Sequence, residues 1–142
     1  MKHGYTYGNT NMLTRDRTCT HVDNCYHIPH AWIRGHVCKT NTVSNTAFRG
    51  FGGPQGMYIT ETIMNKVAES LKMDVDDLRV RNLYEIGQRT PFLQEITDDF
   101  HIPTMIEQLT VSSDYEKRKL AVKEFNSKNK FKKRGICRIP TK

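Results

Sequence analysis

The clearest pattern of apolar and polar positions lies in the middle of the chain. From Pro54 onward, apolar side chains recur at intervals of three and four residues. They are Ile59, Ile63, Met64, Val67, Ala68 and Leu71. This spacing is typical of one face of a helix, and proline suits a first turn because its missing N–H has no partner there. The pattern predicts a helix over residues 54–71, with the apolar stripe in a core and Glu61 on the polar side.

Three more helices are predicted downstream. Asp74 can cap a short helix over residues 74–83, whose first turn is acidic, as the helix dipole favours. Pro103 is expected to open a second helix. Ser113 and Glu116 have the spacing of a capping box, which predicts a third helix that starts at Ser113 and ends near residues 126–129.

Other segments favour strands and loops. Residues 16–46 combine Thr, His and Cys with short apolar stretches, and residues 36–42 are interpreted as one strand. Residues 135–139 predict another short strand, which Pro140 would end. The Gly-rich stretch of residues 48–56 predicts a turn between the strands and the first long helix.

The charge of the chain is uneven. Its 142 residues, enough for one domain or a piece of a larger one, carry a formal net charge of +7. Residues 115–142 contain eleven Lys or Arg and two Glu, so this segment carries +9 and the remainder −2. A basic run can bind nucleic acid, but no nucleic-acid motif accompanies it. We therefore favour a solvated helix face and expect no nucleic-acid partner.

The N-terminus has no apolar leader, and no apolar run approaches the length of a membrane span. The four cysteines are expected to be reduced thiols of an intracellular protein. We expect a cytoplasmic location, with the peroxisome as the alternative, and no membrane partner.

A cluster of metal-ligating residue types lies near the N-terminus. Its members are Cys19, His21, Cys25, His27, His30, His36 and Cys38. Structural zinc sites usually present ligands as C-x2-C pairs, and the pairs here are separated by single residues. We expect no metal site from these residues, and a small zinc-binding module remains an alternative.

The sequence FRGFGGPQG, residues 48–56, contains four glycines in seven residues. Glycines let a backbone approach a ligand closely and present N–H groups to an anion. Arg49 and Phe51 add a charge and a flat apolar face, which suit a planar heterocycle. The stretch lacks the Lys-Ser/Thr of a P-loop, and a plain tight turn is the alternative interpretation.

This stretch is part of a longer run, CKTNTVSNTAFRGFGGPQGM, residues 38–57, that resembles the signature of the xanthine dehydrogenase family of molybdenum hydroxylases. The resemblance extends over residues 16–142, whereas residues 1–15 resemble the family poorly. It implies a partial molybdopterin-binding domain of α+β fold over residues 16–142. Residues 1–15 would be a divergent or poorly ordered segment.

The resemblance also implies roles for three residues. Arg49 matches the arginine that contacts the molybdopterin cofactor, and Phe51 matches a phenylalanine that packs against the purine ring. Arg17, six residues before Asp23, matches the arginine that binds the substrate and stabilises its charge. An ordinary surface arginine is the alternative for Arg17, because Thr18, Cys19 and Thr20 depart from the family's more apolar run.

The implied function is part of a molybdenum-dependent hydroxylase that oxidises hypoxanthine and xanthine towards urate. The resemblance implies FAD and 2Fe-2S clusters outside this chain, NAD or oxygen as electron acceptor, and a homodimer. The family's glutamate base and iron–sulfur cysteines have no match here, so we expect the isolated chain to be inactive. A fragment of an aldehyde oxidase and a non-catalytic basic or zinc-binding module are the alternatives. Arg17 and the Gly52-Gly53-Pro54 run favour xanthine dehydrogenase over aldehyde oxidase.

Overall fold

The structure, a computed structural model, describes residues 9–38, residue 41 and residues 48–142. Within these ranges there are five helices, and they are α1 (Asn9–Cys19), α2 (Gly53–Leu71), α3 (Val75–Arg81), α4 (Ile102–Ser112) and α5 (Tyr115–Lys128). Two isolated β-bridges join Tyr26 to Leu83 and Arg89 to Glu95. Because the described ranges contain no β-sheet, the α+β fold is not confirmed and stays a prediction.

The first helix is a feature that the sequence pattern missed. Strands and loops were predicted from residue 16 onward, yet α1 continues to Cys19. The face that α1 turns to α2 contains small polar residues such as Thr14, which is 5% exposed, so it shows no apolar period. The predicted strand over residues 36–42 is absent from residues 36–38, and most of the rest lies outside the described residues.

The helix predicted from Pro54 is confirmed, and α2 runs over Gly53–Leu71. Its buried face agrees with the prediction only in part. Ala68 of the apolar stripe is buried as predicted, but Thr60 and Glu61 are buried too, whereas Ile63 is 54% and Leu71 60% exposed. Placing Glu61 on the polar side and the whole apolar stripe in the core was therefore wrong, because the buried hydrogen-bond partners of Glu61 lie on that inner side.

The shorter helices follow the sequence signals in part. The Asp74 cap is confirmed, since its Oδ1 accepts a hydrogen bond from the Asp76 N–H at 2.8 Å. Pro103 lies in the first turn of α4, as predicted. The capping box at Ser113 was wrong: the Ser113 hydroxyl donates to the Leu109 carbonyl at 2.6 Å, and α5 begins at Tyr115 after Asp114. The strand predicted over residues 135–139 was also wrong, because these residues form no strand and no β-bridge.

A buried ion pair between Glu61 and Arg79 joins α2 to α3. The Arg79 Nε donates to Glu61 Oε2 at 2.8 Å, and both side chains are less than a tenth exposed. The other carboxylate oxygen of Glu61 accepts from the Tyr26 hydroxyl at 2.6 Å and from the Asn24 amide at 3.1 Å. Burial and the hydrogen bond to Glu61 raise the pKa of Tyr26 well above its usual value.

The same network continues into α5. Arg79 also donates to Asp76 Oδ1 at 3.1 Å, and Asp76 Oδ2 accepts from the Tyr115 hydroxyl at 3.0 Å. Lys119 bridges Asp76 and Asp74 at 2.9 and 2.8 Å. Burial lowers the pKa of Lys119, but hydrogen bonding to these carboxylates outweighs burial and raises the pKa. The hydrogen bond from Lys119 in turn lowers the pKa of Asp74.

The last residues of the chain return to the segment after α1. The Asn24 amide donates to the Pro140 carbonyl at 2.9 Å. Lys142 Nζ donates to Asp23 Oδ2 at 2.6 Å, and the same oxygen accepts from the Tyr84 hydroxyl at 3.0 Å. Residues 23–26 are thus tied to α2, to the residues that follow α3 and to the C-terminal segment. None of the helices in the described ranges has both the length and the apolar character needed to cross a membrane.

The buried ion pair predicts a large stability effect. Glu61→Gln should lower the free energy of unfolding by about 3 kcal/mol, because it leaves the Arg79 charge buried without its main carboxylate. Glu69→Gln on the same helix is the control, since Glu69 pairs with Lys66 at 3.5 Å in solvent and should matter by less than about 1 kcal/mol. Urea denaturation followed by circular dichroism measures the free energy of unfolding of both variants. Equal losses in the two would contradict the assignment of Glu61 and Arg79 as a stabilising buried ion pair.

Candidate functional site

The Gly-rich stretch forms the predicted turn, directly before α2. Its backbone folds through hydrogen bonds from the Phe51 N–H to the Phe48 carbonyl at 2.7 Å and from the Gly53 N–H to the Gly50 carbonyl at 2.8 Å. The Gly52 N–H donates to Gln55 Oε1 at 3.0 Å. Gly50 and Gly52 have φ values of 84° and 116°, which L side chains rarely adopt.

Two of these glycines are needed for close packing against α1. A Cβ on Gly52 would lie 2.2 Å from the Thr14 carbonyl oxygen and 2.8 Å from the Thr18 nitrogen. A Cβ on Gly56 would lie 2.6 Å from the Thr18 carbonyl oxygen. The glycines therefore let the turn and the start of α2 approach the backbone of α1. This contact fixes where the last turn of α1 lies relative to residues 48–53.

The structure brings Arg17 and Phe51 together. The Arg17 guanidinium carbon lies 5.3 Å from the centroid of the Phe51 ring, which is a cation–π distance. Arg17 is exposed on the last turn of α1, and Phe51 is 39% exposed. A cation and an aromatic face thus stand side by side at the surface. Such a pair can bind a planar, anionic ring by stacking and charge.

Arg49 lies in the same turn but is not part of this pair. Its side chain is exposed, and within the described ranges it has no ion pair or cation–π contact. Its guanidinium donors are therefore available to an anion. An exposed guanidinium in this turn fits a ligand with an anionic group.

The Cys/His residues are not gathered into a metal site. Within the described ranges, no three His, Cys, Asp or Glu residues are arranged to hold a metal ion. The Cys25 thiol is buried and donates to the Pro140 carbonyl at 3.7 Å, and burial raises the pKa of Cys25 to about 12. The His27 ring contacts the Tyr84 ring at 5.8 Å. These two residues have structural roles.

The basic C-terminal segment is largely engaged with the chain itself. Arg134 lies 3.9 Å from the Phe125 ring centroid, and Arg138 lies 4.9 Å from that of Tyr115. The Lys133 ammonium donates to the Asn126 carbonyl at 2.6 Å. These contacts support the interpretation of the segment as a structural, solvated face.

His21 lies next to the pair of Arg17 and Phe51, and the sequence analysis names it only among the residues of metal-ligating type. His21 Nδ1 lies 2.8 Å from the Arg17 carbonyl oxygen. Arg17 and His21 are four positions apart, a spacing that makes residues neighbours on a helix. This signal could not be used from the sequence alone, because residues 16–19 were predicted as strand or loop.

Comparison with known proteins finds a matching family profile and several similar enzymes. The profile described as the molybdopterin cofactor-binding domain matches residues 1–83, which is more than half of the chain. A nicotinate hydroxylase of Emericella nidulans is 58% identical over 89% of this chain and 9% of its own length. Xanthine dehydrogenase of the same fungus is 50% identical over the same shares. The mouse xanthine dehydrogenase/oxidase is 45% identical over 95% of this chain and 10% of its own length.

Solved structures agree with the sequence relatives. The aldehyde oxidoreductase of Desulfovibrio desulfuricans superposes with a TM-score of 0.71 and 32% identity, over 86% of this chain and 13% of that one. The enzyme of Desulfovibrio gigas gives a TM-score of 0.70 and 34% identity, over 91% and 14%. The chain spans about a tenth of the length of the curated relatives it matches.

The packing of the Gly-rich turn predicts a specific cost. Gly52→Ala should lower the free energy of unfolding by about 3 kcal/mol, because the new methyl meets the α1 backbone and the φ of 116° is strained. Gly135→Ala is the matched control, since a Cβ there meets nothing within 4 Å. Urea denaturation compares the two variants. A cost at Gly52 no larger than at Gly135 would contradict the close approach.

Proposed function

This chain belongs to the molybdenum hydroxylase family through its molybdopterin cofactor-binding domain, and on that premise we propose that it supplies substrate- and cofactor-contacting residues of a purine hydroxylase. The reaction would oxidise hypoxanthine and xanthine towards urate. The observation that carries the proposal is the Arg17 guanidinium over the Phe51 ring, beside the Gly-rich turn.

Arg17 would stabilise charge that develops on the substrate. Attack on an electrophilic ring carbon moves negative charge onto the heterocycle, so a fixed cation binds the transition state more tightly than the ground state. The guanidinium is exposed on the last turn of α1, where it can reach a bound ring. Its planar donors can also pair with a ring carbonyl or a carboxylate.

Phe51 would position the substrate ring. Packing against an aromatic face is worth about 0.5–1.5 kcal/mol beyond the area that it buries. Because Phe51 follows Gly50 in a turn fixed by backbone hydrogen bonds, its ring has a defined place beside Arg17. Orientation of this kind lowers the entropy cost of reaching the reactive geometry.

Arg49 would contact the molybdenum–molybdopterin cofactor. The cofactor carries a phosphate, and the guanidinium of Arg49, which is exposed and has no ion pair within the described ranges, fits that anion. When bound, the cofactor supplies the oxidative chemistry at the ring carbon. The contribution of Arg49 is to bind and orient it.

The remaining parts of the enzyme would lie outside this chain. We propose that the protein to which this chain belongs uses 2Fe-2S clusters and FAD, passes electrons to NAD or oxygen, forms a homodimer and acts in the cytoplasm or peroxisome. The glutamate base would also come from outside these residues, so the 142 residues alone would not turn over substrate. The proposed domain division places residues 16–142 in the molybdopterin-binding part, although α1 crosses residue 15.

A pyridine carboxylate such as nicotinate is a second candidate substrate. It is favoured by the greater identity to the fungal nicotinate hydroxylase, 58% against 50% for the dehydrogenase of the same fungus. The exposed guanidinium of Arg17 is also a good partner for a carboxylate. An aldehyde substrate has weaker support, because the aldehyde oxidoreductases are 32–34% identical.

The role of Arg17 predicts a substrate-dependent loss. In the molybdenum-loaded protein that contains this chain, Arg17→Met should lower kcat/KM for hypoxanthine or xanthine about a hundredfold, as loss of one charge-stabilising donor does. Simple aldehydes, which build no ring charge, should be spared. Arg15→Met is the control, since Arg15 pairs with Asp16. Equal losses on both substrate classes would contradict the role of Arg17.

The two candidate substrates predict different kinetics for the unmodified protein. If purines are the substrates, kcat/KM for hypoxanthine should exceed that for nicotinate by at least about tenfold, the ratio that a difference of about 1.4 kcal/mol in transition-state binding produces. Steady-state assays with both compounds and an artificial electron acceptor measure this. The opposite ratio would replace the purine proposal with the pyridine carboxylate.

A further inference from the structure

We propose that His21 is a positioning residue, which fixes the last turn of α1 and with it the place of Arg17 over Phe51. The inference rests on the function proposed above, in which Arg17 acts on the substrate ring. It goes beyond that function because it assigns the orientation of Arg17 to a residue that need not touch substrate or cofactor.

His21 bonds to the backbone of Arg17. The last carbonyls of a helix lack the N–H partner of the next turn, and the His21 N–H bonds to the Thr18 carbonyl instead of that of Arg17. The Arg17 carbonyl oxygen accepts from His21 Nδ1 at 2.8 Å and from the Thr20 hydroxyl at 3.2 Å. Since a carbonyl can only accept, Nδ1 carries the proton in this contact. Two side chains therefore replace the missing backbone donor.

The other side of His21 lies against the start of α2. A Cβ on Gly53 would be 3.4 Å from the His21 Cδ2, which is ordinary van der Waals contact. A Cβ on Gly56 would be 3.0 Å from the His21 Cβ, so only glycine leaves room there. His21 thus contacts both the helix end that carries Arg17 and the helix start that follows Phe51.

This placement matters because Arg17 has few other restraints. Its guanidinium is exposed, and the described contact of that group is the ring of Phe51. If the last turn of α1 frays, the Arg17 guanidinium adopts several orientations instead of one. A displacement of about 1 Å at a catalytic group can cost a hundredfold in rate. The loss should appear in kcat for rings that build negative charge.

Two substitutions separate positioning from general stability. In His21→Asn the amide nitrogen takes nearly the place of Nδ1 and can still donate to the Arg17 carbonyl. In His21→Gln the amide lies nearer to the place of Nε2, and this hydrogen bond is lost. Both are polar and neutral, so they form a matched pair.

The kinetic test uses the molybdenum-loaded protein that contains this chain, with hypoxanthine, nicotinate and a simple aldehyde. We expect His21→Gln to lower kcat for the heterocycle that the unmodified protein oxidises by about tenfold to a hundredfold, with a smaller change in KM. His21→Asn should retain most of that kcat, and the aldehyde should be spared in both variants. Equal losses in the two variants, or losses that include the aldehyde, would overturn the proposal.

Hydrogen–deuterium exchange followed by mass spectrometry gives a readout independent of activity. In His21→Gln, amides of residues 17–24 should exchange faster than in the unmodified protein, whereas those of α3 should be unchanged and His21→Asn should resemble the unmodified protein. Unchanged exchange over residues 17–24, or faster exchange in α3 as well, would overturn the proposal. If the unmodified protein oxidises neither heterocycle, the proposed function fails, while the exchange result still decides whether His21 anchors this turn.

Discussion

The buried pair of Glu61 and Arg79 is the interaction on which the described structure depends. Two opposite charges removed from water are tolerated only when the remaining donors and acceptors are satisfied. Here Tyr26 and Asn24 complete the carboxylate, and Asp76 receives a second bond from the guanidinium. The pair therefore dictates which side of α2 faces inward. It also joins the segment after α1 to α2 and α3, so that the position of α1 depends on it.

This constraint explains why α2 leaves part of its apolar stripe exposed. The residues with helical periodicity, such as Ile63 and Leu71, are more than half exposed, while a glutamate and a threonine face inward. An exposed apolar face of this kind usually marks a contact surface. The exposed apolar residues of α2 do not pack within the described part of the chain. The chain spans about a tenth of the length of its curated relatives.

Local sequence signals predicted the elements better than their packing. Proline in a first turn, the Asp74 cap and the glycine-rich turn each depend on a few neighbouring residues, and all three were confirmed. The capping box failed because Ser113 had a competing acceptor in the preceding helix. The inward face of α2 could not be predicted, because it depends on residues 18 to 37 positions away in sequence. The family resemblance selected all three site residues, and the structure brings Arg17 and Phe51 into contact. Arg49 lies apart from that pair.

The geometry of the candidate site follows from backbone packing more than from the side chains that would touch a ligand. Gly52 and Gly56 let α1 and α2 approach until a Cβ would not fit, and this approach brings the end of α1 next to the turn that carries Phe51. Arg17 reaches the ring only because the last turn of α1 ends at that point. The glycines of the signature run therefore have two roles on one segment, since Gly50 adopts the positive φ of 84° that the turn requires while Gly52 and Gly56 allow a helix to pack closely. A glycine-rich motif next to a helix start can thus define a binding site indirectly, by fixing the element that brings in the charged residue.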